Sequence, residues 1–244
     1  MKRRRFISNT ICGSLAFSFA PFSMFSLSQE IDPNELIGKG SPELVGTEIK
    51  FRKEVYDAYF SMREDAKKAG ILITAVSAYR SFERQKQIWE RKYNRYLSQG
   101  LQPRDSIKKI IEYSTIPGTS RHHWGTDIDI VDGYHMDVPY LLAPSNFNEG
   151  KPFYKLGQWL GQHATEYGFY RTYTEDPLRK GFKPEPWHYS YKPLSVKFLE
   201  NFLKIDLLKV LKAENFQGSD HFTPTWIETY RNEHILDINP ELLP

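Results

Sequence analysis

The stretch SRHHWGTDIDIVD, Ser120 to Asp132, places two adjacent histidines just ahead of Asp127, Asp129 and Asp132. Imidazole and carboxylate together are the donor set of a divalent metal. A turn at Trp124-Gly125 running into a strand would fold His122 and Asp129 onto one point. Along that strand Ile128 and Ile130 share one face, while Asp127 and Asp129 share the other. A second stretch, PEPWHYSY from Pro184 to Tyr191, sets Glu185 three residues before His188. Pro186 excludes a regular helix interior there, so this is not the helical HExxH arrangement. An extended or bulged segment would present both side chains to a shared cleft. A catalytic zinc takes three protein ligands and keeps one position for water.

The remaining histidines read as background. His123 neighbours His122 and points to the other side of an extended segment, as a structural or substrate-lining residue. His135, His163, His221 and His234 lie outside any glycine turn that leads into an acidic strand, and read as surface or core residues. Asp127 leaves two carboxylates on one strand face. It either orients a ligand histidine or is directed into solvent by strand twist.

The elements that must carry these residues are readable from periodicity. Lys50 to Ala69 has apolar residues at helical spacing and ends at Gly70. Ile71 to Tyr79 reads as a buried strand. Ser81 caps a helix that continues to Ser98, and Asp105 to Tyr113 reads as another. Pro117-Gly118 turns into the histidine segment. Thr126 to Val131 reads as a strand, Phe153 to Tyr167 as an amphipathic helix, and Phe169–Thr172 and His188–Tyr191 as short strands. Leu194 to Leu211 reads as one helix, and a smaller helical tail has TPTWIETYRNEHIL as its body. The fold class expected is α+β: a small antiparallel sheet with flanking helices and a helical C-terminal extension.

The N-terminus reads as an export signal over residues 1–28. Lys2, Arg3, Arg4 and Arg5 form its charged region, and a broken apolar run follows. The RRRFIS start also fits a twin-arginine signal. Pro21 and several serines make the run poor for a membrane span. The formal charge of +3 includes those four cations, and residues 1–28 hold no acid. Three positive less four leaves a formal −1 for the rest, which gives no electrostatic case for nucleic-acid binding. Cys12, the single cysteine, lies in the signal. The remainder therefore has no disulfide and no cysteine-zinc site.

The motif S-x-H-x-x-G-x-x-x-D, here SRHHWGTDID, followed by E-P-W-H-Y from Glu185 to Tyr189, resembles the VanY-type D-alanyl-D-alanine carboxypeptidases. Their wider group includes lysostaphin-type endopeptidases and the hedgehog signalling domain. SAYRSFERQ, Ser77 to Gln85, resembles that family's S-x-Y-R-S-x-x-x-Q segment, and the motifs stand in family order over Ile71 to Tyr191. The resemblance implies one zinc ion held by His122, Asp129 and His188. It implies Glu185 as the general base for the attacking water and Arg80 as the cation for the developing oxyanion. Ser120 and Gln85 would contact substrate. Many relatives carry a small apolar residue where this chain has Asp127.

The expected layout is a signal peptide over 1–28, a lead-in over 29–48, a zinc peptidase domain over 49–193 and a packed helical extension over 194–244. The expected activity is hydrolysis of the terminal D-Ala-D-Ala bond of peptidoglycan stem peptides by an exported, periplasmic or envelope monomer with no stable membrane span after signal cleavage. The rivals are an L,D- or D,D-endopeptidase or dipeptidase with the same site, and an inert zinc-stabilised binding module. The loops Tyr134–Gly150 and Tyr173–Lys183 would decide between the peptidases.

Overall fold

The computed structural model describes residues 31–244. The expected export signal lies outside the described residues. A short helix α1 (Pro33–Leu36) precedes α2 (Lys53–Lys68), β1 (Ile73–Ser77), α3 (Phe82–Ser98) and α4 (Pro103–Ile110). β2 (Asp127–Asp132), α5 (Tyr154–His163), β3 (Phe169–Arg171) and β4 (His188–Tyr191) follow. The chain closes with α6 (Lys192–Phe202), α7 (Leu207–Ala213) and α8 (Pro224–Tyr230).

The strands form one antiparallel sheet in the order β1-β2-β4-β3. Ile128 and Ile130 on β2 and Tyr189 on β4 supply one face. They pack with Val55, Tyr59 and Met62 of α2 and Leu156 and Leu160 of α5. The other face carries the polar residues, as alternation requires. α3 presents Phe82, Trp89 and Tyr93 inward and starts where Ser81 Oγ accepts from the Arg84 backbone N–H at 3.2 Å.

The helix expected over Leu194–Leu211 is divided. α6 stops at Phe202, and Asp206 caps α7 by accepting from the Lys209 backbone N–H at 3.0 Å. The carbonyls freed at the break go to the Arg231 guanidinium, Leu203 O at 2.8 Å and Ile205 O at 3.0 Å. The segment Phe153–Tyr167 runs as α5 and then a tighter turn, Ala164–Tyr167, ended by Gly168 at φ 82°. The tail forms α8 and then a π-helical turn, Arg231–Ile235.

Ile31–Pro244 is one compact unit. A second apolar cluster mixes Phe82, Trp89 and Trp124 with Phe198, Leu211, Tyr230 and Leu242. The C-terminal helices therefore share a core with α3 and the histidine segment. They also reach the cleft loops. Tyr230 Oη is 3.0 Å from Thr119 Oγ1, and Asp237 accepts from the backbone N–H of Lys180 at 2.5 Å and of Gly181 at 3.0 Å. Among the described residues no helix is long and apolar enough to cross a membrane.

Candidate active site

Strand register brings the ligand candidates together. Asp129 lies directly opposite His188 across the β2–β4 ladder, and Asp127 lies opposite Ser190 one rung along the same face. His122 arrives from a 3-10 turn, Arg121–Trp124, that ends on Gly125 in the left-handed region at φ 68°. Only glycine takes that conformation without cost, and the turn closes with the Gly125 N–H on His122 O at 3.2 Å. The end of β1 fastens the same turn. His122 Nδ1–H donates to Ala78 O at 2.8 Å, and the Arg80 N–H donates to His122 O at 3.0 Å.

One donor atom from each of His122, Asp129 and His188 lies within 4.8 Å of the others, and all three residues are buried. His122 Nε2 stands 3.4 Å from Asp129 Oδ2, and His188 Nδ1 stands 3.6 Å from Asp129 Oδ1. Asp129 Oδ1 is buried without a hydrogen-bond partner. A buried carboxylate oxygen left orphaned is costly, and a cation between the three donors satisfies it. The donor set, two imidazoles and a carboxylate with no thiolate, is one that zinc accepts. The residues fit the ion.

The electrostatics agree with a site built for positive charge. Burial pushes the Asp129 carboxyl up, but the charge and hydrogen bond of His122, then His188 and Arg80, bring it down to about 2. Burial pushes His188 down, yet its contacts with Asp127 and Glu185 and the charge of Asp129 raise it to about 10.

Asp127 is fully buried, so the solvated alternative is excluded. Its Oδ1 is 3.0 Å from His188 Nε2 and accepts from Arg121 Nε at 2.8 Å. Its Oδ2 accepts from Thr126 Oγ1 at 2.7 Å and Ser190 Oγ at 2.9 Å, and Ser190 Oγ in turn accepts from Arg121 Nη2 at 2.7 Å. Burial raises the Asp127 carboxyl, but Arg121 first and then His188 drive it far below the usual carboxylate range. The carboxylate fixes the ring of His188 from behind, as partners of metal-binding histidines do.

Glu185 and Arg80 stand on the open side. Glu185 Oε2 is 3.0 Å from His188 Nδ1. Arg80 Nη2 is 3.8 Å from Asp129 Oδ2 and donates to Ser77 Oγ at 3.0 Å. Both line a cleft of about 260 Å³ with Ser120, His122, Asp129, Tyr173, Trp187 and His188. Trp187 and Tyr173 wall it, and the Tyr173 ring meets His188 edge-on at 5.0 Å. A larger hollow of about 590 Å³, beside Phe147, Gln158, Tyr170 and Arg171, contains none of these groups.

One expected position comes out differently in space, and a second is decided between its two readings. Gln85 is fully buried, with its amide oxygen on Arg80 Nη1 at 2.8 Å and its amide nitrogen on Thr115 O at 2.7 Å. It sits beneath Arg80 rather than on the cleft wall where a substrate contact was expected. His123 is a structural residue and not a cleft lining: it is fully buried, its Nδ1–H donates to Arg80 O at 2.6 Å and its Nε2 accepts from the Gly118 N–H at 3.1 Å. Arg121 and Lys92 were not singled out from sequence. The unexplained second carboxylate at Asp127 was the available sign that a buried cation stood nearby.

Comparison with known proteins supports the same grouping. The family model described as VanY, D-alanyl-D-alanine carboxypeptidase, matches residues 48–194. A D-alanyl-D-alanine carboxypeptidase of Enterococcus faecalis is 28% identical over 146 residues, 59% of this chain and 47% of that protein. This chain therefore spans about half the length of that relative. Among solved structures, the D,D-pentapeptidase VanY of a VanB-type resistance cassette in complex with Zn(II) has the same fold, with TM-score 0.51, 20% identity, and 67% of this chain and 85% of that chain covered. The LD-carboxypeptidase LdcB superposes with TM-score 0.50 at 25% identity, covering 76% of this chain and 79% of that chain. By the span of the family match, more than half of its length, the chain belongs to the VanY family of D-alanyl-D-alanine carboxypeptidases.

Proposed function

We propose that this chain is an exported zinc peptidase that removes the terminal D-alanine from peptidoglycan stem peptides ending in D-Ala-D-Ala. The observation that carries this reading is the convergence of His122, Asp129 and His188 with Glu185 and Arg80 on one cleft. Zinc bound there would polarise the scissile carbonyl and lower the pKa of a bound water to about 7.

The chain's own residues have the remaining work. Glu185 takes the proton of the attacking water and passes it to the leaving amine. Arg80, locked by Gln85 and Ser77, presents a fixed cation to the oxygen on which charge develops. Ser120 lies in the cleft wall within reach of a bound peptide. Asp127 keeps the His188 ring in place. The presence of both Glu185 and Arg80 speaks against an inert binding module. A second reading, removal of the residue after an L-centre, draws on the likeness to LdcB.

The test is mass spectrometry of a pentapeptide stem and, separately, a tetrapeptide stem incubated with the protein, with and without a chelator. Loss of one C-terminal alanine, abolished by chelator, is expected. Loss of D-alanine from a tetrapeptide stem only would replace this reading with the L,D activity, and a cut inside the stem would replace it with an endopeptidase.

A further inference from the structure

The cleft wall holds three cations, Arg80, Arg121 and Lys92. Arg80 is bound by Gln85 and Ser77, and Arg121 by Asp127 and Ser190. Lys92 makes no hydrogen bond or ion pair with any described residue; only burial and through-space charge act on it. It stands two turns beyond Gln85 and one beyond Ile88 on the same face of α3. Ile88 and Lys92 both line the cleft. Lysine side chains on a helix lean toward its N-terminus, which here is the end that carries Arg80. Burial pulls the Lys92 ammonium down to about 8, and the leading opposing charge is that of Glu185. A half-buried cation with no partner is a poor structural element, because it loses water and gains nothing in exchange. It is a good binding element, because an incoming anion restores the loss.

We infer that Lys92 receives the α-carboxylate of the residue that the enzyme releases. This rests on the peptidase reading above. Glu185 hands its proton to the leaving amine, and that nitrogen and the terminal carboxylate sit on one α-carbon. Lys92 and Glu185 line the same cleft, and Glu185 is the leading opposing charge on Lys92, so the free cation stands on the side of the cleft where the carboxylate emerges. Thr115, in the same wall, has a buried hydroxyl without a partner and adds a neutral donor nearby. Lys92 thus selects a free chain end over a continuing chain, which makes it a specificity-determining residue.

The experiment compares an acylated D-Ala-D-Ala with its C-terminal amide, in the zinc-loaded wild type, Lys92→Met and Lys92→Arg. Lys92→Met is expected to lower kcat/KM for the free acid by about 10- to 100-fold, mostly through KM, the range of a hydrogen bond to a charged group. Cleavage of the amide is expected to be unchanged, and Lys92→Arg to restore most of the free-acid activity. Equal losses on acid and amide, or no loss on the acid, would overturn the assignment. Calorimetric binding of the same two compounds to Glu185→Gln and to Glu185→Gln/Lys92→Met gives a readout without turnover. Tighter binding of the acid that disappears with Lys92 supports the assignment, and identical affinities for acid and amide in Glu185→Gln refute it. A wild type that binds and cuts neither compound would instead remove the peptidase reading itself.

Discussion

At the scale of single residues, the groups proposed to hold the metal are distinct from the group proposed to move protons. Glu185 is 7% exposed and faces the cleft, so it can be changed without removing a ligand. Glu185→Gln is expected to bind zinc with near-normal stoichiometry while kcat falls by at least about 100-fold, the low end of general-base contributions; metal analysis beside single-substrate kinetics checks it. Asp127 works differently. Asp127→Asn strands the buried Arg121 and weakens the hold on His188 together. We expect a stability loss of about 3–5 kcal/mol, the cost of breaking a buried pair, and zinc affinity lower by about 10- to 100-fold. Adding Arg121→Met should recover much of the stability but not the affinity. Recovery of both would mean that Asp127 serves only to neutralise Arg121. The convergence of the ligand candidates was legible in the sequence, because His122, Asp129 and His188 are donor types a metal needs and stand in a specific motif spacing, and the structure brings one donor atom of each within 4.8 Å of the others. The role of Asp127 was not. Choosing between solvent and His188 requires knowing that Ser190 lies opposite it and that Arg121 turns inward.

At the scale of elements, two of the ligand candidates depend on a strand pairing and the third on a turn. The alternation over Thr126 to Val131 marked β2, which runs one residue later at each end, and assigned both its faces correctly. The sheet order β1-β2-β4-β3 was not legible, because β4 comes some sixty residues after β2 and no local signal names its neighbour. The helix break between α6 and α7 was hidden for a related reason: the apolar stripe runs on through Phe202, Leu207 and Leu211, and only the distant Arg231 shows where the carbonyls are taken up. The turn before β2 was legible from Gly125. An added Cβ at that φ of 68° would meet Arg52 Cγ and Leu44 Cδ2, each at 3.3 Å. Gly125→Ala is therefore expected to cost about 1–2 kcal/mol in left-handed backbone strain and to move His122 off its position. Zinc affinity should fall with stability, whereas Gly70→Ala, also at positive φ but with open space around it, should cost stability alone. Titration of both variants with a chromophoric chelator, alongside denaturant melts, separates the two outcomes.

At the scale of the whole molecule, the cleft depends on a C-terminal segment that carries no catalytic group. That segment closes the shared core and pins the loop leading to Glu185, through Asp237 on Lys180 and Gly181 and through Phe182 against His234. Composition could not have shown this, since the same apolar residues would serve a separate bundle equally well. His234 gives the arrangement a pH signature. Its ring is stacked on Tyr230 at 4.7 Å and met edge-on by Phe182 at 4.9 Å, and its Nδ1 is buried without a partner. Burial lowers its pKa to about 4, with Asp237 opposing and Arg179 assisting. A histidine depressed in the folded state takes up its proton more readily when unfolded. The unfolded chain therefore binds more protons between the folded value of about 4 and the ordinary value of about 6.5. The contribution is full above pH 6.5 and is lost as pH falls through that window. In chelator-treated protein, so that metal release does not overlay the titration, wild type is expected to lose roughly 2–3 kcal/mol more than His234→Phe between pH 7 and pH 4.5. His123 and His188 titrate in both proteins and cancel from the difference. Parallel stability curves for the two would show that His234 is as readily protonated in the fold as in the unfolded chain, and that the packing around it does not exclude charge.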